Sequence, residues 1–276
     1  MRTLQEMLVK IDTRGGAGKS LRKHLTASGI KEWDDITRSS LYDFVDELKE
    51  TLAPLSQKNV AGYLRTLLTR VQDDVAVPSD YAKILSIKAQ PPVKTYLSED
   101  DLAKIETYKP NTRKQEYIKN VFLICAYTGL RVGDAMRLTL DNVVEGNLHY
   151  VAEKTKKANA IPLKRGLEER IKWVSEHPEY SVTISYYDRA VKTMCEKVGI
   201  VEDVMVYKGG VELKGPKWKY ITSHTARVST ATCLNRRGVE IGDIQQLLQH
   251  SSVTITERYI VKDQVHLSET AMQFFR

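Results

Sequence analysis

Six side chains in this sequence are of types that together could manage a negatively charged phosphorus centre: Arg131, Lys154, His224, Arg227, His250 and Tyr259. They stand in Ala126-Tyr127-Thr128-Gly129-Leu130-Arg131, Glu153-Lys154-Thr155-Lys156-Lys157, Ser223-His224-Thr225-Ala226-Arg227, Leu247-Leu248-Gln249-His250 and Thr256-Glu257-Arg258-Tyr259. A guanidinium stays charged and presents a planar fork of donors suited to two oxygens of one phosphate, whereas a lysine acts more as a point charge. His224 and Arg227 are three residues apart, which on a helix puts them on one face, near an N-terminus whose free amides favour an anion. Ionising a phenol of pKa ~10 at neutral pH costs roughly 4 kcal/mol, and nearby arginines lower that cost. Each motif alone is weak. A single His and Arg read as solvated surface residues, and with 14 tyrosines in the chain an arbitrary one is structural. The information lies in the ordered combination.

These residues must be positioned by elements legible in the apolar spacing. Ile118, Val121, Phe122 and Cys125 predict a buried helix ending at Thr128-Gly129, the glycine serving as C-cap, with Arg131 directly after the turn. Glu145-Gly146-Asn147 is a turn signal, and Leu148–Ala152 and Ala160–Leu163 predict strands of a small antiparallel sheet, which puts the intervening lysines in a hairpin turn. The rest reads as largely helical, with segments near 185–198, 224–237 and 241–249. Upstream, Leu41, Phe44, Val45 and Leu48, then Val60, Tyr63, Leu64, Leu67, Leu68 and Val71, mark short helices punctuated by Pro54 and Pro78. Ala89-Gln90-Pro91-Pro92-Val93-Lys94-Thr95 breaks the periodicity. Ser98-Glu99-Asp100-Asp101 then has the form of a helix N-cap followed by an acidic first turn. The expected organisation is a helical domain over 1–90, a linker over 91–96 and a second domain over 97–276.

Composition sets the outer bounds. The 276 residues, 42% of them hydrophobic, can form one large domain or two ordinary ones. Net charge is +7, with 14 Lys and Arg against 12 Asp and Glu before Pro91 and 28 against 23 after it, so both parts are mildly basic, which favours a polyanionic partner. Cys125, Cys195 and Cys233 are too few and too far apart for a disulfide framework and read as reduced core residues. The six histidines show no metal-ligand spacing, and no apolar run approaches the ~20 residues of a membrane helix. Neither a metal nor another cofactor is expected, and the expected location is the cytoplasm. Gly15-Gly16-Ala17-Gly18-Lys19-Ser20 is similar to the end of a phosphate-wrapping P-loop, but Thr13 occupies the place of the leading glycine and no apolar strand ending in Asp completes a magnesium site. A turn before a helix over Lys19–Ala27 fits that stretch better than an NTPase.

Taken in order, Arg131, Lys154, His224-x-x-Arg227, His250 and Tyr259 resemble the tyrosine recombinase and integrase family, over essentially the whole second domain. The run Thr95-Tyr96-Leu97-Ser98-Glu99-Asp100-Asp101-Leu102 is similar to the family's usual entry into its catalytic domain. The resemblance implies a mainly α fold: an N-terminal helical core-binding domain (SAM-like) and a mostly helical catalytic domain with a small antiparallel sheet, the DNA breaking-rejoining enzyme fold. It implies site-specific recombination, in integration, excision or dimer resolution, through a 3′-phosphotyrosine on Tyr259, without ATP or metal. His224 would accept a proton, His250 would hydrogen-bond a phosphate oxygen, and a hairpin lysine would protonate the departing 5′ oxygen. Lys154, before Thr155 and eight residues before Pro162, is the choice for that acid, with Lys156 and Lys157 close enough to compete, their other role being phosphate contact in a basic turn. The implied partners are double-stranded recombination sites, a homo-tetramer on two such sites, and accessory DNA-bending or directionality factors, all at the nucleoid.

Some alternatives stay open at this level. Asp134, one turn beyond Arg131, either orients the cations or serves as a surface ion pair or helix cap. Gln249 replaces a glycine common before the histidine, and Ile260-Val261 lacks a histidine present in some relatives. Ser268–Phe275 is expected to dock on a neighbouring protomer, or else to pack on its own domain. A type IB topoisomerase uses a similar residue set but rejoins the original strand. A DNA-binding regulator could keep the fold without cleavage.

Overall fold

The computed structural model describes residues 3–12, 17–89 and 92–261. Thr13 to Gly16 of the glycine-rich stretch, Gln90 at the end of the expected first domain, Pro91 of the linker and the tail from Ser268 lie outside the described residues. The chain divides into two compact units, one holding the described residues up to Val93 together with Tyr207–Leu213, the other Lys94–Val206 and the described residues from Lys214 on.

The first unit is built from helices α1 (Leu4–Asp12), α2 (Ala17–Ala27), α3 (Arg38–Thr51), α4 (Pro54–Val71) and α5 (Tyr81–Ile84). Thr37 caps α3 in a reciprocal box with Ser40, and Pro54, expected only to interrupt, opens α4 at its first turn, where a missing N–H costs nothing. Leu8, Leu21, Leu25, Phe44, Leu48 and Leu64 close one core, each at most 1% exposed. Removing such side chains from water is its main support, about 1.5–3 kcal/mol each. A buried His24 reaches the Glu47 carboxylate at 2.8 Å, so its polar ring enters the core with a partner.

The second unit runs α6 (Glu99–Thr107), α7 (Arg113–Thr128), α8 (Val132–Ala135), β1 (Val143–Val144), β2 (Asn147–Val151), β3 (Ala158–Pro162), α9 (Leu167–Glu176), α10 (Ile184–Lys197), α11 (Ser223–Arg236), α12 (Ile241–Leu247) and α13 (Val253–Glu257); between α10 and α11 come β4 (Asp203–Lys208) and β5 (Val211–Pro216), whose Tyr207–Leu213 portion belongs to the first unit. This is a mainly helical fold with small antiparallel sheets. The middle of α7, from Tyr117 through Ala126, is buried on all sides, which makes it the axis of the unit. Ser98 caps α6 in a box with Asp101, as the sequence predicts. Helix α11 packs on α7 although it carries several hydroxyls, because the buried ones have partners: Ser229 accepts from the Leu97 amide at 2.8 Å, and Thr230 donates to the Ala126 carbonyl at 2.8 Å. Lys217, also buried, sits between Asp101 at 2.5 Å and Glu202 at 2.8 Å.

In the sheet β1-β2-β3, Leu148 pairs with Ile161 and Tyr150 with Asn159. This register turns Leu148 and Tyr150 inward and brings 152–157 out as the connecting loop. The hairpin β4–β5 is a departure from the expected helical remainder. Its strands are mostly exposed, so they lack the alternating apolar pattern of a half-buried sheet, and only Gly209-Gly210, at φ 64° and 86°, signals the turn. Among the described residues no helix is long and apolar enough to cross a membrane. Cys125, Cys195 and Cys233 all lie on helices of this unit as free thiols, and burial pushes their pKa values up to about 12, 12 and 11.

Candidate active site

Helix α7 must stop where it does. Gly129 adopts φ 72°, and its amide closes the helix on the Cys125 carbonyl at 2.8 Å. A Cβ at this position would lie 2.4 Å from Leu248 Cδ2, so the glycine serves both the turn and the close approach of the chain after α12. Arg131 follows as N-cap of α8 and is partly exposed. The buried Asp134 carboxylate lies 3.9 Å from it, accepts from Arg137 at 2.5 Å and accepts from the Glu153 amide at 3.1 Å. Asp134 therefore ties the Arg131 turn to the start of the lysine loop rather than forming a surface pair.

Arg227 lies on α11 and is only 2% exposed. Its guanidinium donates to the Gly129 carbonyl at 2.6 Å and to the Leu248 carbonyl, bridging the ends of α7 and α12. Burial, then the charge of Arg131, draws its pKa below the usual value, yet an arginine remains charged. His250 is likewise buried, with Nδ1 at 3.0 Å from the Thr256 hydroxyl. The Nε atom of Arg227 and Nε2 of His250 are buried without hydrogen-bond partners among the described residues. Arg227 Nε carries a proton and is a donor in need of an acceptor, and in the tautomer in which the Thr256 hydroxyl donates to Nδ1, Nε2 of His250 is a second such donor.

Tyr259 stands among these groups. Its ring centroid is 4.5 Å from that of His250 and 4.9 Å from that of His224, the latter edge-on, and Arg227 Cζ lies 5.8 Å from it. Its amide bonds the Thr256 carbonyl at 2.8 Å, while the Thr232 hydroxyl donates to the Tyr259 carbonyl and accepts from the Val261 amide at 3.1 Å. The nucleophile candidate is thus anchored to α11 through its backbone, leaving its phenol end to the cations.

His224 occupies the first turn of α11, whose N-cap Thr222 forms a reciprocal box with Thr225. Crowding away from water, then Lys94, Arg227, Arg131 and Lys154 in turn, push its pKa down to about 4. The residue as a whole is exposed, and the charges of Lys94, Arg227, Arg131 and Lys154 all act against protonation of its ring. His250 is also lowered to about 4, by burial first and then by Arg227 and Arg131.

Lys154 sits at the exposed tip of the 152–157 loop, and its charge reaches His224. Lys156 and Lys157 are in the same loop. Lys156 holds a left-handed φ of 54° and donates its amide to Ala152 at 2.8 Å, and the Lys157 carbonyl accepts from the amide of Ala152 at 3.0 Å. Arg131, His224, Arg227, His250 and Tyr259 are thereby brought together, with Lys154 on an open loop beside them.

Lys94, assigned to the linker on sequence grounds, is a participant that spacing does not disclose. Its ammonium lies 4.4 Å from the Tyr259 ring centroid and 3.5 Å from the Arg258 carbonyl, and burial lowers its pKa. Thr256 and Gln249, which the sequence presents only as an approach to Tyr259 and a replacement for glycine, bond to His250 and to the lysine loop. Only the hydroxyl of Thr256, six positions after His250, offers a sequence hint.

Residues 95–266 match the Phage integrase family, a span that includes all six candidate residues. Tyrosine recombinase XerD of Lacticaseibacillus casei is 26% identical over 237 residues, covering 81% of this chain and 78% of that protein. The integrase of Enterobacteria phage P21 is 24% identical over 256 residues, covering 88% of this chain but 66% of its own length, so the chain spans slightly under two thirds of that relative. A lambda integrase tetramer bound to a Holliday junction shares the fold at TM-score 0.65 and 17% identity, over 94% of this chain and 77% of that one. With well over half of its length matched, the chain belongs to the Phage integrase family, among relatives named tyrosine recombinases and integrases.

Proposed function

We propose that this chain is a site-specific recombinase that cleaves and rejoins double-stranded DNA through a covalent bond to Tyr259. The Tyr259 oxygen attacks the scissile phosphorus, the bond from phosphorus to the 5′ oxygen breaks, and a 3′-phosphotyrosine with a free 5′ hydroxyl results. The phenolic proton passes to His224, and Lys154 protonates the departing oxygen. Arg131, Arg227 and His250 hold the non-bridging oxygens, where charge develops. Because the phosphotyrosine ester retains the energy of the bond it replaces, attack by the partner strand's 5′ hydroxyl completes exchange without ATP.

The observation that carries this proposal is the convergence on one tyrosine ring of His224, His250 and the buried Arg227, with two buried nitrogens lacking hydrogen-bond partners beside it. A buried guanidinium and an imidazole that each keep one nitrogen without a partner suit an anionic oxygen. The depressed pKa of His224 fits a proton acceptor: at neutral pH the ring is uncharged, and an arriving phosphate would raise its affinity for a proton.

Following the Holliday-junction complex of lambda integrase, four protomers would act on two DNA sites. The helical first unit would bind the core site, and the second, from about residue 97, would catalyse.

The test is to select the bound sequence from random DNA and then offer it with a nick that traps the intermediate. Wild type should form an SDS-resistant adduct, and Tyr259→Phe should bind the site and form none. Site-independent relaxation of supercoiled plasmid would point instead to a topoisomerase, and specific binding without any wild-type adduct to a regulator.

A further inference from the structure

The four residues from Leu247 to His250 each bond to a different part of the second unit. The Leu247 carbonyl accepts from Asn159 on β3 at 2.8 Å, the Leu248 carbonyl accepts from Arg227, and His250 meets Thr256. Gln249 faces the lysine loop. Its Oε1 accepts from the Thr155 hydroxyl at 3.3 Å, and its Nε2 donates to the Lys157 carbonyl at 3.1 Å.

The backbone makes this clasp informative. Gln249 adopts φ 52°, a region that glycine enters freely and other residues enter at a cost. Lys156, held between the two loop residues that Gln249 grips, has the same left-handed geometry at φ 54°. Only three non-glycine residues among those described lie in this region, and two of them stand on opposite sides of the clasp. A glutamine kept where glycine fits better needs compensation, and the two side-chain bonds to the loop are the compensation in view. A glycine at 249 could make neither.

We infer that Gln249 is a positioning residue that holds the loop carrying Lys154 in register with the His250 turn. One side chain then fixes the distance between the proton donor at the leaving oxygen and the histidine at the phosphate. Without it the loop would keep its hairpin closure and the bonds of Glu153 to Asp134 and Arg137, but its far side would lose the tie to the His250 turn that sets where Lys154 is presented, and proton transfer needs its donor within hydrogen-bond reach of the departing oxygen. The inference rests on the proposed role of Lys154 as general acid.

The two ideas separate in one experiment. A 5′-phosphorothiolate substrate has a leaving group that needs no proton, so it bypasses the general acid but not the rest of the site. Gln249→Gly removes the clasp and relieves the backbone, and Thr155→Val removes one of the two bonds at nearly constant volume. Single-turnover cleavage of ordinary nicked substrate should slow roughly tenfold in Gln249→Gly and less in Thr155→Val, with both variants within about twofold of wild type on the phosphorothiolate. DNA affinity should not change. Equal slowing on both substrates would make Gln249 a general structural support, and unslowed cleavage would make the clasp irrelevant; either overturns the inference while leaving Lys154 in its role. Lys154→Ala serves as the reference: if the phosphorothiolate fails to rescue it, the general-acid assignment falls and the Gln249 inference falls with it.

Discussion

The two halves of the candidate site are built in opposite ways. Arg227 and His250 are buried, and their side chains bond to the ends of α7 and α12 and to α13. Lys154 stands exposed on a hairpin loop, joined to that framework by the Glu153 amide on Asp134 and by Gln249 on Thr155 and Lys157. The difference fits the roles proposed for each group. Donors that stabilise developing charge act best when fixed in advance, because nothing then reorganises during the reaction. A proton donor must approach one oxygen and later withdraw, which suits a loop held by few bonds.

Substitutions on the two sides should therefore differ in kind. Arg227→Ala should have the largest effect, leaving the Gly129 and Leu248 carbonyls without a buried donor. Stability is expected to fall by about 2–4 kcal/mol, read by urea unfolding, and cleavage by roughly a thousandfold or more. Loss of cleavage without loss of stability would mean that Arg227 is not part of the framework. Lys154→Ala should slow cleavage by a factor of about 10² to 10⁴ while changing stability by no more than about 0.5 kcal/mol, and the phosphorothiolate should restore it. A destabilised Lys154→Ala would erase the contrast between the halves.

The mildest test is pH. His224 and His250 have folded-state pKa values of about 4 against a reference near 6.5, so between those values the unfolded chain binds more protons. Their contribution to stability is fully present above about pH 6.5 and falls as pH drops toward 4. Thermal unfolding followed from pH 7.5 to 4.5 should show this decline, and inorganic phosphate, by pairing with the cations, should reduce it. A flat profile without phosphate would contradict the depressed histidines.

How much of this the sequence discloses depends on how locally each feature is specified. Gly129 and Arg131 are legible because a helix end and the residue after it are matters of adjacent chemistry. His224 and Arg227 are legible because three residues on a helix define a face. Lys154 needed the family resemblance to distinguish it from its neighbours, since three lysines in one loop are equivalent on spacing alone. Gln249 looked like a departure because its partners, Thr155 and Lys157, are more than 90 residues away, and nothing local reveals a side chain that clasps a distant loop. Lys94 was lost among the residues of an irregular linker for the same reason. The β4–β5 hairpin escaped notice because its exposed strands are held by main-chain bonds, which leave little hydrophobic pattern.

The central claim, that Tyr259 becomes bonded to the 3′ phosphate of DNA, can be read directly by mass spectrometry of the trapped adduct. Trypsin cuts after Arg258 and Lys262, so the modified peptide should be Tyr259-Ile260-Val261-Lys262. Expected is that peptide carrying a 3′-linked nucleotide on the tyrosine, with a free 5′ hydroxyl on the released strand. An adduct on any other residue, or a linkage to a 5′ phosphate, would contradict the account.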